Sequence, residues 1–240
     1  MEIEVLGTGS SGNCYKVKIG RATLLIECGL PYKAIQRKLN FKVSEIDACL
    51  ITHEHQDHAK AIKELMKAGI DCYMTKGTAE ALGVGGHRLN TFYKSPDLRW
   101  QYKYKILKDL FIVPFEAVHD VAEPVSYFIK TKDDKESLVF VTDTAYMKYK
   151  IPACDVLMIE CNYVKSVIDE KADKGKINVS LRNRIVKNHM SLETVVEALR
   201  SADLSRCKKI YVLHLSDGNS NEEVIKRTIQ ELTGVEVVIC

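Results

Sequence analysis

The chain has 240 residues, 46% of them apolar and 28% charged, an ordinary globular composition that excludes a disordered or low-complexity protein. With 35 Lys and Arg against 32 Asp and Glu the net charge is only +3. That balance argues against a protein that coats nucleic acid, which needs a stronger basic excess, and leaves catalysis on a nucleotide open.

Strand-like runs come first, at 2–6, 13–19 and 22–27, with a tight turn at Ile19-Gly20-Arg21. Pro31 opens a helix over 31–39, where Tyr32, Ile35 and Leu39 keep helical spacing. An apolar strand at 48–52, a helix at 57–68 and a strand at 71–74 follow. The middle is β-rich, at 100–106, 110–118, 124–130, 137–142 and 156–160. The last third predicts an amphipathic helix through Leu192, Val195, Val196 and Leu199 and a buried strand at 210–213. It closes with a helix at 224–232 behind a Ser220/Glu223 capping box and a strand at 235–239. Two β-rich blocks, each trailed by helices, predict two packed sheets with helices outside, in a single domain over 1–240. The polar stretch 163–188 reads as an insertion or lid.

Eight cysteines carry no C-x-x-C pair and read as reduced intracellular thiols, Cys28 and Cys49 acting as small hydrophobes. The start shows no secretory pattern, and no apolar run approaches the ~20 residues of a membrane span. A soluble cytoplasmic protein without a membrane partner is expected.

The chemistry concentrates in Thr52-His53-Glu54-His55-Gln56-Asp57-His58, where three of the seven histidines follow an apolar strand. Alternate residues past a strand end turn two imidazoles the same way, so His53 and His55 can share one metal. Asp57 and His58, at the helix start, can point to a second. Imidazole with carboxylate suits zinc, and also manganese or iron.

This H-x-H-x-D-H run resembles the signature of the metallo-β-lactamase fold, an α/β four-layer αββα sandwich. The resemblance extends through His119 in His119-Asp120-Val121-Ala122-Glu123-Pro124, Asp143 in Val141-Thr142-Asp143-Thr144 and His214 in Leu213-His214-Leu215-Ser216, each at a strand end. It implies that His53, His55 and His119 hold one divalent metal and Asp57, His58 and His214 another, with Asp143 bridging. The ions expected are Zn2+, with Mn2+ as the alternative. Two metals so held activate water and stabilise charge on a phosphoryl oxygen, which makes Asp57 catalytic as well as a ligand. Where the family usually carries an aspartate supporting the metal loop, this chain has Glu27, long enough to orient a ligand histidine from behind. His189 is left over by the ligand count and suits a general acid toward the leaving oxygen. His87 has no such support and reads as a surface histidine.

The loop Gly7-Thr8-Gly9-Ser10-Ser11-Gly12-Asn13-Cys14 reads either as a phosphate-approaching loop or as a Gly-rich strand connection. With Glu160-Cys161-Asn162-Tyr163 and Asn188-His189-Met190-Ser191 it resembles one compact subgroup of the superfamily, containing bacterial 5′-exonucleases and phage anti-Pycsar enzymes. Ser10, Ser11, Asn13, Asn162 and His189 are the expected substrate contacts. Phe92, Tyr93, Trp100, Tyr102 and Tyr104, interleaved with Lys94, Arg99, Lys103 and Lys105, read as a buried face or dimer seam, with base stacking as the alternative.

The resulting expectation is a homodimeric dinuclear-metal phosphodiesterase that opens 3′,5′-cyclic nucleotides to linear monophosphates. A phage or prophage anti-defence role in the host cytoplasm, with no stable nucleic-acid partner, goes with it. A single-stranded nucleic-acid 5′-exonuclease is the alternative. A non-catalytic binding protein would require a missing ligand, and none is missing.

Overall fold

A computed structural model describes residues 1–97 and 102–240. It divides into two compact units, Met1–Glu116 with Val121–Ser137, and Ala117–Asp120 with Leu138–Cys240.

The first unit opens with an antiparallel meander, β1 (Glu2–Gly7), β2 (Cys14–Ile19) and β3 (Ala22–Ile26). After α1 (Tyr32–Lys38) the strands run parallel: β4 (Ala48–Leu50), then α2 (Gln56–Ala59), α3 (Ile62–Lys67), β5 (Asp71–Thr75), α4 (Lys76–Leu82) and β6 (Leu89–Phe92). The sheet order is β1-β2-β3-β4-β5-β6. Ile35 and Leu39 from α1 and its C-cap, Ile62 and Leu65 from α3 and Ala79 from α4 share one buried cluster with Leu25, Cys49, Cys72 and Met74 of the strands. A second strand run, β7 (Lys105–Leu107), β8 (Leu110–Glu116) and β9 (Val125–Thr131), is antiparallel. It packs onto the first sheet through Tyr127, whose ring lies 5.9 Å from that of Phe92 and whose hydroxyl donates to the Ile51 carbonyl at 2.5 Å.

In the second unit β10 (Ser137–Val141), whose first residue closes the first unit, runs parallel to β11 (Val156–Glu160). The helices α5 (Lys165–Asp173), α6 (Val179–Asn188) and α7 (Leu192–Ser201) come next, then β12 (Lys209–Leu213), α8 (Glu222–Thr233) and β13 (Glu236–Ile239). Strands β10 to β13 are all parallel, so their carboxyl ends share one edge, the edge where open α/β sheets place ligands.

Four local differences from the sequence reading have physical causes. The helix expected over 57–68 breaks into α2 and α3, because the Ala61 N–H donates to the Cys28 carbonyl at 2.9 Å and the Asp57 carbonyl accepts from Asn13 at 2.7 Å. The cap of α8 is Asn221, which accepts from Val224 N at 3.0 Å, while Ser220 donates to the Ser216 carbonyl at 2.7 Å. The stretch 163–188 folds into α5 and α6, joined by an Asp169–Arg182 ion pair at 2.6 Å. Helix α4 and strand β6 are additional elements that the sequence reading did not place.

The strand expected at 100–106 is β7 only from Lys105, and Trp100 and Arg99 lie outside the described residues. In the aromatic segment Phe92 and Tyr102 are buried while Tyr93 and Tyr104 are exposed. The eight cysteines are free thiols, six of them buried; burial pushes the Cys14 and Cys28 thiols up, and hydrogen bonding to Cys28 and Cys72, with burial, raises that of Cys49. No helix among the described residues is long and apolar enough to cross a membrane.

Candidate metal centre

In the first unit the loop after β4 carries His53, His55, Asp57 and His58. Its backbone is held from three sides. The Thr52 N–H donates to both oxygens of the Glu27 carboxylate at 3.3 and 3.4 Å. The His58 carbonyl accepts from Cys28 N, and the Asp57 carbonyl accepts from Asn13 N, both at 2.7 Å. Gly29 permits this closeness, since a Cβ there would lie 1.7 Å from the Asp57 carbonyl oxygen.

The imidazoles are braced within this frame. Thr52 Oγ1 meets His53 Nδ1 at 2.9 Å, and His53 Nε2 lies 3.1 Å from His55 Nδ1. His58, fully buried, has Nδ1 at 3.5 Å from Glu27 Oε1 and Nε2 at 3.5 Å from Asp57 Oδ2. Glu27 is also fully buried, and desolvation pushes its carboxyl up despite the opposing pull of His58 and Thr52. It stands behind the histidine as the sequence suggested for a longer carboxylate.

In the second unit the donors sit beyond parallel strand ends. Asp143 follows β10, Glu160 ends β11 and His214 follows β12, while His119 lies three residues past β8. The two Asp143 oxygens face two different imidazoles, Oδ2 toward His119 Nε2 and Oδ1 toward His214 Nε2, each at 3.8 Å. That spacing is too long for a hydrogen bond and suits two donors each about 2.0–2.2 Å from one ion. The far nitrogens are held from behind: His119 Nδ1 by the Asn188 carbonyl at 3.2 Å, and His214 Nδ1 by Asn162 Nδ2 at 3.1 Å. The Asn188 carbonyl, an acceptor for the His119 N–H, is the kind of outer contact that orients a metal-ligating histidine. Asp143 (φ 45°) and His214 (φ 54°) adopt left-handed backbone, as does Glu27 (φ 63°) in the first unit. Non-glycine residues in that region carry strain that concentrates at functional sites.

His189 caps α6, and its Nδ1 lies 3.0 Å from Glu160 Oε2 while its ring stacks on His214 with centroids 5.2 Å apart. Glu160 is fully buried, and its other oxygen accepts from Thr144 N at 2.8 Å and Met190 N at 3.1 Å. One ligand atom from each of Asp143, Glu160, His189 and His214 falls within 4.8 Å of the others. The sequence reading gave Glu160 no role. Its signal was a carboxylate ending an otherwise apolar buried strand beside strands that end in a candidate donor.

The expected substrate contacts divide. Ser10 and Ser11 are exposed at the tip of the first loop. Asn13 is fully buried, accepting from Gly9 N at 3.0 Å and Tyr15 Oη at 3.1 Å and donating to the Asp57 carbonyl at 3.2 Å. Asn162 is buried as well and donates to the His214 carbonyl at 2.9 Å. Both asparagine amides are engaged in holding donor loops in place. His87 is exposed on a glycine-rich loop.

A family model described as a beta-lactamase superfamily domain matches residues 23–214. The chain belongs to this superfamily. Its fold is the metallo-β-lactamase fold expected from the sequence: the fold protein YhfI from Bacillus subtilis superposes with a TM-score of 0.72 at 17% identity, over 99% of this chain and 95% of that one. The exodeoxyribonuclease WalJ of Streptococcus pneumoniae serotype 2 is 32% identical over 235 residues, 94% of this chain and 85% of the relative. The anti-Pycsar protein Apyc1 of Paenibacillus sp. strain J14 is 37% identical, but over 71 residues, 27% of this chain and 29% of that protein. This superfamily member is a hydrolase, with a His/Asp donor set suited to divalent metal ions.

Proposed function

We propose that this hydrolase is a divalent-metal phosphodiesterase that removes nucleotides from single-stranded DNA ends. The observation that carries the metal-dependent reading is Asp143, with each carboxylate oxygen facing a separate imidazole at 3.8 Å. The proposed donors are His53, His55, Asp57 and His58 in the first unit and His119, Asp143 and His214 in the second. Nitrogen and oxygen donors with no thiolate suit Zn2+, with Mn2+ as the alternative. When bound, divalent ions supply a water of lowered pKa and positive charge for a phosphoryl oxygen.

The protein's own groups do the rest. Glu160 fixes the His189 ring through Nδ1, which leaves Nε2 to hand a proton to the departing sugar oxygen. Ser10 and Ser11, exposed at the loop tip, donate to phosphate oxygens in this reading.

The substrate order reverses the one expected from the subgroup resemblance. The similarity to WalJ spans nearly the whole chain, whereas the similarity to Apyc1 is local, and this favours DNA over cyclic nucleotides. The local Apyc1 match keeps one second reading, opening of 3′,5′-cyclic nucleotides in an anti-defence role. Product analysis separates them: 5′-labelled single-stranded DNA and cyclic mononucleotides are given to one metal-loaded preparation. Release of mononucleotides from DNA with cyclic substrate intact supports the DNA reading. Turnover of the cyclic substrate alone reverses it.

A further inference from the structure

The segment after Asp143 has a feature that the hydrolytic centre does not use. In Tyr146-Met147-Lys148-Tyr149-Lys150 exposure alternates, with Tyr146, Lys148 and Lys150 exposed and Met147 and Tyr149 half-buried. Tyr146 is 51% exposed, so its ring is open to a stacking partner. The segment is held at its start because Thr144 is anchored three ways: its N–H donates to Glu160 at 2.8 Å, its hydroxyl to the Tyr146 carbonyl at 2.9 Å, and its Oγ1 accepts from Val118 N at 2.9 Å.

This segment lines a cleft of 440 Å³ whose other wall is α7, presenting Thr194, Glu197 and Ser201. Both ends of the pair are tied. Near the start of α7, Thr144 N and Met190 N donate to the same Glu160 oxygen. Past its end, Asp203 N donates to the Ile151 carbonyl at 3.1 Å. The two walls therefore start from residues tied to Glu160, next in sequence to Asp143 and His189, and the cleft lies along a helix of 10 residues, about 15 Å long.

We infer that this cleft is a track for the single strand next to the scissile phosphate. A base stacks on Tyr146, Lys148 and Lys150 meet the following phosphates, and Thr194, Glu197 and Ser201 offer hydrogen bonds to base edges. An exposed aromatic followed by lysines on the same side is the pattern of sequence-tolerant single-strand binding. A cyclic mononucleotide has no following phosphate for the lysines. The inference rests on the proposed single-stranded DNA reading and adds to it the surface along which the strand lies.

The test measures binding of a phosphorothioate-capped single-stranded decamer to the metal-loaded protein. Hydrolysis of an uncapped decamer and of bis(p-nitrophenyl) phosphate is followed in parallel. Tyr146→Ala should weaken decamer binding about 10-fold, within the ~5- to 150-fold range expected for one stacked base. Tyr146→Phe, which keeps the ring, should bind like the parent. Lys148→Ala with Lys150→Ala should flatten the salt dependence of binding by a slope of about 1.4, or ~0.7 for each single-strand phosphate that is no longer neutralised. In hydrolysis, the decamer to bis(p-nitrophenyl) phosphate ratio of kcat/KM should fall with Tyr146→Ala, through KM. If the parent binds and cleaves the decamer and Tyr146→Ala matches it, the track is wrong and the phosphodiester reading stands. If Tyr146→Ala weakens binding while no preparation cleaves either diester, the track stands and the phosphodiester reading falls.

Discussion

The two units build their donor sets in opposite ways. In the first, four donors lie within six positions of one loop, and the surrounding structure serves to clamp that loop: Glu27 on Thr52 and His58, Asn13 on Asp57, and Gly29 admitting the close approach. In the second, His119, Asp143 and His214, with Glu160 and His189 beside them, are spread over nearly a hundred residues, and Asp143, Glu160 and His214 meet because parallel strands end on one edge. The first is a local device; the second depends on the whole sheet holding its register. Left-handed backbone at Asp143 and His214 strains the second set, with residues of this kind costing about 1–3 kcal/mol each.

The comparison can be broken at its most connected point. Asp143→Ala removes the carboxylate facing two imidazoles, so it should lower turnover at least ~10³-fold and strip bound metal. His55→Ala, the exposed member of the local set, should cost less on both measures. Equal losses would mean that Asp143 faces two imidazoles without serving two.

Glu160→Gln and His189→Ala test whether the second unit holds a proton donor beside its metal donors. Each should keep its metal content and lose about 10²–10⁴-fold in turnover of DNA. The loss should shrink for a nitrophenyl phosphodiester, whose leaving group needs no proton. Metal loss in His189→Ala would instead make His189 a ligand.

Asn13→Ala and Asn162→Ala compare the clamps of the two sets. Each should weaken metal affinity about 10- to 100-fold, as for other contacts behind a ligand histidine, measured by competition with a chromogenic chelator. Gly29→Ala forces the Asp57 carbonyl to shift and should cost about 1–3 kcal/mol of stability, read as a lower midpoint in urea unfolding.

The same contrast explains what the sequence disclosed. The local set was legible because its spacing is its geometry. His119, Asp143 and His214 were legible through their order and strand-end placement, which resemblance to the superfamily supplied. Glu160 escaped because its signal, a carboxylate ending an apolar run, is one that any charge leaving a strand shares. The helices within 163–188 escaped because they bury little: Ile168 is the buried side chain of α5 and Asn188 that of α6, so no apolar stripe marks them. The break between α2 and α3 was invisible because its cause, the Cys28 carbonyl capturing Ala61 N–H, lies more than thirty residues away in sequence.

The central claim is that hydrolysis runs on metal held by these donors. Its most direct test measures bound divalent metal and single-stranded DNA hydrolysis in one preparation, for the parent and for Asp143→Asn, before and after chelation and readdition. The account predicts about two equivalents in the parent, loss of activity on chelation with recovery on Zn2+ or Mn2+, and a metal-poor, inactive Asp143→Asn. Full activity in a parent stripped of metal, or an active Asp143→Asn, would contradict it.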